Sequence, residues 1–320
     1  MANRISIPDT NLSMFPLGLG TAGAGIDWDG AEADELLDAF LDLGGNLIDT
    51  ARIYSDWIPP EIGRSERVIG EWLQRSGKRE RIILMTKGGH PRFTSPSDDL
   101  HISRMTRADM RGDIELSLTA LHVETIDVYF YHRDNPAQPI AEEIETMEQF
   151  KQEGKLRYYA CSNWSAARIR EADAYCQANG YRGFVANEAL LNLGLKYLHH
   201  LPDDTLLPFD ADLFSYHAAN RRNQAMPFMS VASGFFHLFA AGGEEAVKNN
   251  PYCTPQNIRV AERCLALAAK YNASVSQVLL GFFSHQPFPC VPLYGPQNVA
   301  QLIDAMGYVE VNFEPGDFAI

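Results

Sequence analysis

The chain has 320 residues, 46% hydrophobic and 21% charged, and its 41 acidic against 27 basic residues give a formal charge of −14. That balance is globular, and so large an acidic surplus repels phosphate backbones and anionic lipid, which argues against nucleic-acid and membrane-surface roles. The five cysteines form no C-x-x-C pair and read as reduced, buried thiols. No apolar run approaches the roughly 18 residues of a membrane span, so a single domain over residues 1–320, a cytoplasmic location and a small-molecule partner are expected, with the oligomeric state open.

In chain order, alternating Ile5 and Ile7, a Pro8-Asp9 turn and Leu12 with Met14 read as an N-terminal hairpin. Residues 15–20 read as a strand, and 29–43 as an amphipathic helix stopped by Gly44-Gly45. Residues 46–50 (NLIDT) read as a buried strand, 64–75 as a helix, 82–87 (IILMTK) as a strand and 107–121 as a helix. Strands at 126–132 (IDVYFYH) and 158–162 alternate with helices at 140–152 and 165–178. Residues 184–187 and 212–217 read as further strands, with no helix evident over 191–207. Residues 218–255 read as a long loop insertion, apolar enough to cover a pocket. A helix at 256–271, a capping box at Ser274 and Gln277 opening the next, a strand at 290–292 and a helix at 298–306 complete the chain.

Continuous apolar strands imply a parallel sheet buried on both faces. About eight strand–helix units favour closure, so the expected fold is an α/β (β/α)8 TIM barrel with an N-terminal β-hairpin and a long insertion after strand 7. Barrel enzymes carry their reacting groups at the C-terminal strand ends. Asp49, Lys87 and His132 end three neighbouring strands there, and Tyr54 follows in the loop after Asp49. A phenol beside an ammonium is a stronger acid than a free phenol; with Asp49 holding Lys87, and His132 orienting a carbonyl, the four suit proton donation during carbonyl reduction.

With these residues the chain resembles the aldo-keto reductase family, through NLIDTARIYS (residues 46–55), GRSERVIGEWL (63–73), TKGG (86–89), YHRDNP (131–136) and CSNW (161–164). The resemblance implies a barrel, NADP-linked carbonyl reduction with Tyr54 as proton donor, and Asp49, Lys87 and His132 around it. It further implies cofactor contacts from Gly20, Thr21, Ser162 and Asn163, from Tyr216 stacking on the nicotinamide, and from Gly295 and Asn298 after the last strand. Glu188 falls where the family commonly has Gln beside the carboxamide, and His217 where a small hydroxyl residue is common, near the pyrophosphate. A 2′-phosphate needs a charge-assisted partner, yet residues 291–306 hold no basic side chain. Two expectations follow: NAD serves as cofactor, or Arg221 and Arg222 supply the missing charge.

Trp57, His90 and Arg133, with Asp56, are placed at the substrate, a pattern leaning toward sugars or polyols. GLGTAG (residues 18–23) also matches G-x-G-x-x-G, but no helix opens at its third glycine as a dinucleotide fold requires, which leaves that fold second. The nine histidines form no H-x-H or H-E-x-x-H, and no metal is expected. Two rival functions are a barrel that holds the cofactor as a redox sensor with little turnover, and a metal-dependent hydrolase.

Overall fold

A computed structural model describes residues 4–201 and 203–319. Its centre is a ring of eight parallel strands, each paired with the next along the chain. After a two-stranded hairpin, β1 (Ile5–Ser6) and β2 (Ser13–Met14), come β3 (Gly18–Gly20), β4 (Leu47–Asp49), β5 (Ile83–Gly88), β6 (Ile126–Tyr131), β7 (Leu156–Ser162), β8 (Ala186–Glu188), β9 (Gln224–Ala225) and β10 (Leu293–Tyr294). β10 pairs with β3, and the ring closes where Val291 N donates to Ala225 O (3.0 Å) and Leu293 N to Pro227 O (2.8 Å). The fold is the expected (β/α)8 barrel. Its interior is filled by Leu47, Met85, Val128, Phe130, Ala160, Ala186 and Met226, and the hairpin's Ile7, Leu12 and Met14 pack into the same cluster as a floor.

Helices follow the strands because their boundaries are chemically marked. Asp29 caps α1 (Gly30–Asp42), whose buried Ala33, Leu36, Leu37, Phe40 and Leu41 form one apolar stripe. α2 (Arg64–Ser76) starts after Gly63 and ends at Gly77, both left-handed. α3 (Arg107–Ala120) is capped by Thr106. α4 (Ile140–Gln152) follows Pro139, and α5 (Ala166–Asn179) is capped by Ser165. α8 (Pro255–Tyr271) and α9 (Val275–Ser284) have Thr254 and the reciprocal Ser274–Gln277 box at their starts, and Asn298 caps α10 (Val299–Met306). Among the described residues, no helix is long and apolar enough to cross a membrane.

Two expectations fail between residues 211 and 255. Residues 212–217 are not a strand but lie within α6 (Ala211–Ala219), whose N-terminus Asp210 caps by accepting from Leu213 N. A short apolar run fits either period; here the cap, and burial of Leu213, Tyr216 and His217 on one side, select the helix. Residues 218–255 are not an irregular insertion either. They hold β9, the seventh strand of the barrel, and α7 (Phe235–Val247). β9 is two residues long and begins with Gln224, so no apolar alternation announces it. The last strand also lies at Leu293–Tyr294 rather than 290–292.

Candidate active site

The barrel delivers five polar side chains to one rim. Asp49, Lys87, Ser162 and Glu188 sit at or near the C-terminal ends of β4, β5, β7 and β8, and His132 directly follows β6. All five are buried. Tyr54 comes from the loop after β4, which is pinned by Arg52 N donating to Lys87 O and by the Ser55 hydroxyl against the carbonyls of Ala22 (3.0 Å) and Ala24 (2.9 Å). Ser55 adopts a left-handed backbone (φ 71°) to make that turn.

The Lys87 ammonium is the hub. Its Nζ donates to Asp49 Oδ1 (2.5 Å), Tyr54 Oη (3.0 Å) and Thr50 O (3.1 Å), and lies 3.3 Å from Glu188 Oε2. Burial opposes the charge on Lys87, but Asp49, Glu188 and Tyr54 outweigh it and hold the ammonium protonated well above its ordinary range. Burial also raises Tyr54 above 10; Lys87 pulls the phenol down, while Asp49 and Glu188 push it up. The lysine contact therefore acts in the expected sense without making the resting phenol acidic. Burial drives His132 well below its usual value, with His90, Arg133 and Lys87 adding to the effect, so its imidazole is neutral. His132 Nδ1 is buried without a partner among the described residues.

Above this group lies a cavity of about 500 Å³, a size typical of small-molecule sites. Asp49, Tyr54, His132, Ser162, Asn163 and Glu188 line it, as do Gly20, Gly295, Trp57, His90 and Arg133. Several expected contacts differ in detail. Asn163 (φ 61°) spends its side chain on the protein, donating to His132 O (3.2 Å) and accepting from Leu207 N (2.9 Å). Arg133 is held by Asp203 (3.1 Å) and Thr205 (2.9 Å). Asp56 turns from the cavity to accept from Gly63 N.

Other expected residues lie elsewhere. Thr21 is wholly buried in the wall, where its hydroxyl meets Asp49 O and Ser65 Oγ, both at 2.9 Å. Asn298 does not line the cavity and serves as the cap of α10. Tyr216 and His217 ride on α6 away from it. Tyr216 donates to Asp173 (2.8 Å), and His217 stacks on Phe209 with its Nδ1 at Asn223 O. Neither stacking on a nicotinamide nor contact with a pyrophosphate is open to them. Arg221 and Arg222 precede β9 and so sit at the opposite, hairpin end, where Arg222 pairs with Asp9 (2.9 Å) and Arg221 donates to Pro287 O. That overturns the idea that they serve a 2′-phosphate.

Sequence reading missed the apolar lining: Phe93, Leu100 and Leu206, and Phe228 with Met229 just after β9. The only signal for Phe228 was its place behind Pro227 in QAMPFM, legible once the strand before it is known.

The GRSE segment proves architectural. Ser65 bridges Thr21 and Thr50 (2.8 Å to Thr50 Oγ1), tying β3 and β4 to α2, and Glu66 accepts from Thr86 (2.6 Å) beside Lys87. Burial pushes Glu66 up to about 7, against hydrogen bonds from Ser117 and Thr86. Folding thus takes up a proton between the unfolded value near 4.5 and about 7. The sign follows: stability is full below about pH 4.5 and falls as pH rises to about 7, by on the order of 3 kcal/mol. Glu66→Gln should flatten the fall of Tm with pH across that window; an unchanged slope would assign it to other groups.

Comparison with known proteins agrees with this picture. The profile described as "Aldo/keto reductase family" matches residues 16–320. The chain is 27% identical over 307 residues to the Bacillus subtilis (strain 168) protein named "Uncharacterized oxidoreductase YrpG", covering 95% of this chain and 90% of that protein. It is 24% identical over 319 residues to "Norsolorinic acid reductase A" of Aspergillus parasiticus, covering 96% and 77%. It is 32% identical over 190 residues to "Aryl-alcohol dehydrogenase GME11368" of Pestalotiopsis microspora, covering 57% of this chain and only 48%, about half, of that relative.

Proposed function

The chain belongs to the aldo/keto reductase family and is an oxidoreductase, and from that premise we propose that it interconverts aromatic carbonyl compounds and their alcohols with a nicotinamide nucleotide, Tyr54 acting as general acid and base. The observation that carries this reading is the Lys87 hub set under a cavity walled by aromatic and apolar side chains.

The residues present fit a nicotinamide. Gly20 and Gly295 face each other across the rim, a Cβ added at Gly295 lying 3.4 Å from Gly20 O, so small residues leave the edge of the cavity open, and Phe228 contributes a ring to the wall. Ser162 and an unpartnered Glu188 Oε1 supply polar atoms beside it. The bound cofactor would supply the hydride. The protein's own part is to hold the substrate oxygen between Tyr54 Oη and the neutral His132, to give it the phenolic proton as charge develops there, and to exclude water. A phenol, even one raised by burial, is a stronger acid than the alcohol being formed. In the reverse direction Tyr54 takes that proton, and Lys87 stabilises the phenolate.

The substrate class follows from the wall. Trp57 and Phe93 pack at 5.9 Å between ring centroids, His90 and His132 at 4.7 Å, and Leu100, Leu206 and Met229 complete the surface. Flat apolar rings satisfy such a wall, whereas a polyol leaves its hydroxyls unpaired. With Arg133 and Asp56 both engaged, the earlier lean to sugars loses its support. For the cofactor, the uncharged 291–306 segment, without Arg221 or Arg222 near it, favours NADH being accepted with an efficiency within about tenfold of NADPH, since no charge-assisted contact separates them.

Substituted benzaldehydes, aliphatic aldehydes and aldoses, assayed with NADH and NADPH by the loss of near-ultraviolet absorbance, test this. Aryl substrates should give the highest kcat/KM with both cofactors. Preference for aldoses would overturn the substrate class, and more than about a hundredfold preference for NADPH, some 2.7 kcal/mol, would overturn the cofactor reading.

A further inference from the structure

Glu188 is one of three carboxylates, with Glu66 and Glu143, that have a buried oxygen without a partner among the described residues, and of the three it alone lines the cavity. Glu188 is 1% exposed at the end of β8, its Oε2 lies 3.3 Å from a lysine that already has a closer acid at 2.5 Å, and its Oε1 has no partner among the described residues although the residue lines the cavity. One buried ammonium thus faces two buried carboxyls. If both ionise, a net negative charge is left among buried groups, a costly outcome. Asp49, at the shorter distance, keeps its charge; Glu188 keeps the proton.

We propose that Glu188 is a positioning residue of the active site: a second acid on Lys87, neutral beside the ionised Asp49, that sets the acid strength of Tyr54. This rests on the proposed role of Tyr54. While Glu188 is neutral, the Lys87–Asp49 pair has no net charge, and the ammonium at 3.0 Å is the nearest charge to the phenolic oxygen. Once Glu188 loses its proton through Oε1 and the cavity, its charge binds Lys87 more tightly and makes phenolate formation at Tyr54 harder.

The other groups around it do not replace this control. Asp49 faces Glu188 from β4, Tyr54 from the following loop, Lys87 from β5 and Cys161 from β7. Burial keeps the Cys161 thiol well above its usual range, and His132, beside Lys87, stays neutral. Burial, then Asp49, hold Glu188 well above the ordinary carboxylate range, against Lys87.

The sign of the effect gives the test. Alcohol oxidation needs Tyr54 as phenolate, so its rate rises with pH through the phenol's titration. Glu188→Gln keeps the shape but can never ionise, so the negative charge that Glu188 acquires as pH rises toward the phenol's titration never appears beside Lys87. It should move that midpoint down by about one pH unit or more, the size of one close charge. A residue that merely fills space would leave the midpoint where it was, and an unmoved midpoint overturns the proposal.

A second readout needs no turnover. Glu66 and Glu143, held up by burial to about 7 and about 9, also carry protons near neutral pH, so the Glu188 band is read from the wild-type minus Glu188→Gln infrared difference spectrum of the protein without cofactor, which should show a protonated-carboxyl stretch there. In Asp49→Asn the same band should disappear although Glu188 is intact, because Lys87 then has only Glu188 to ionise beside it. No protonated-carboxyl stretch in the Glu188→Gln difference spectrum, or its survival in Asp49→Asn, overturns the proposal. If no substrate is turned over while the band behaves as stated, the proposed function fails and the arrangement of charges stands.

Discussion

Tyr54→Phe is expected to lower kcat in either direction by about 10²- to 10⁴-fold, the usual contribution of a general acid, while nicotinamide nucleotide affinity, read from quenching of protein fluorescence, stays within about threefold. The expectation follows from how little else the hydroxyl does. Among the described residues it bonds to Lys87 Nζ (3.0 Å), and the loop that carries it is held by Arg52 N and Ser55 rather than by the phenol. The ring stays in place, 4.7 Å below the ammonium and edge-on to His132 at 5.8 Å. Turnover near the wild-type rate would remove Tyr54 from the chemistry, and a collapse of cofactor binding would make the residue structural.

Lys87→Met should be the most damaging single change. It removes the buried cation that Asp49 and Glu188 share, and breaking a buried pair costs about 3–5 kcal/mol. The loss has a pH signature. Without the ammonium both carboxyls hold their protons in the folded chain far above the unfolded value near 4, so folding takes up protons. The added instability is therefore small near pH 4 and grows as pH rises toward about 8. Melting temperatures of wild type and variant should converge in acid and diverge in base. A constant gap would mean that the lysine contributes packing rather than charge. Activity should be lost at every pH, because Tyr54 then sees only acids.

Much of this site is legible in the linear chain. NLIDT, IILMTK and IDVYFYH each end in a polar residue after an apolar run, and consecutive parallel strands place such ends side by side. The helices with strong caps, those opening at Asp29, Thr106 and Ser274, are equally plain, since a cap and a stripe are local signals. What failed was the seventh unit. β9 is two residues of QA, too short to show a period, and the apolar run in LFSYH was free to be read as the missing strand. That one exchange displaced Tyr216 and His217 into the site and left Phe228 out of it.

The juxtaposition of Asp49, Tyr54, Lys87 and His132, and the barrel that gathers them, were legible in the sequence alone, because consecutive parallel strands bring the residues at their C-terminal ends to one rim. Three things were decided by the tertiary structure. Arg221 and Arg222 lie at the hairpin end, since residues before a strand emerge opposite those after it. The wall of the cavity is aromatic, drawn from loops distant in the chain. Glu188 shares a lysine with Asp49, and which of the two keeps a proton depends on burial and on distances of 2.5 and 3.3 Å. Charge in a dry interior is a property of the whole surroundings, and no local pattern carries it.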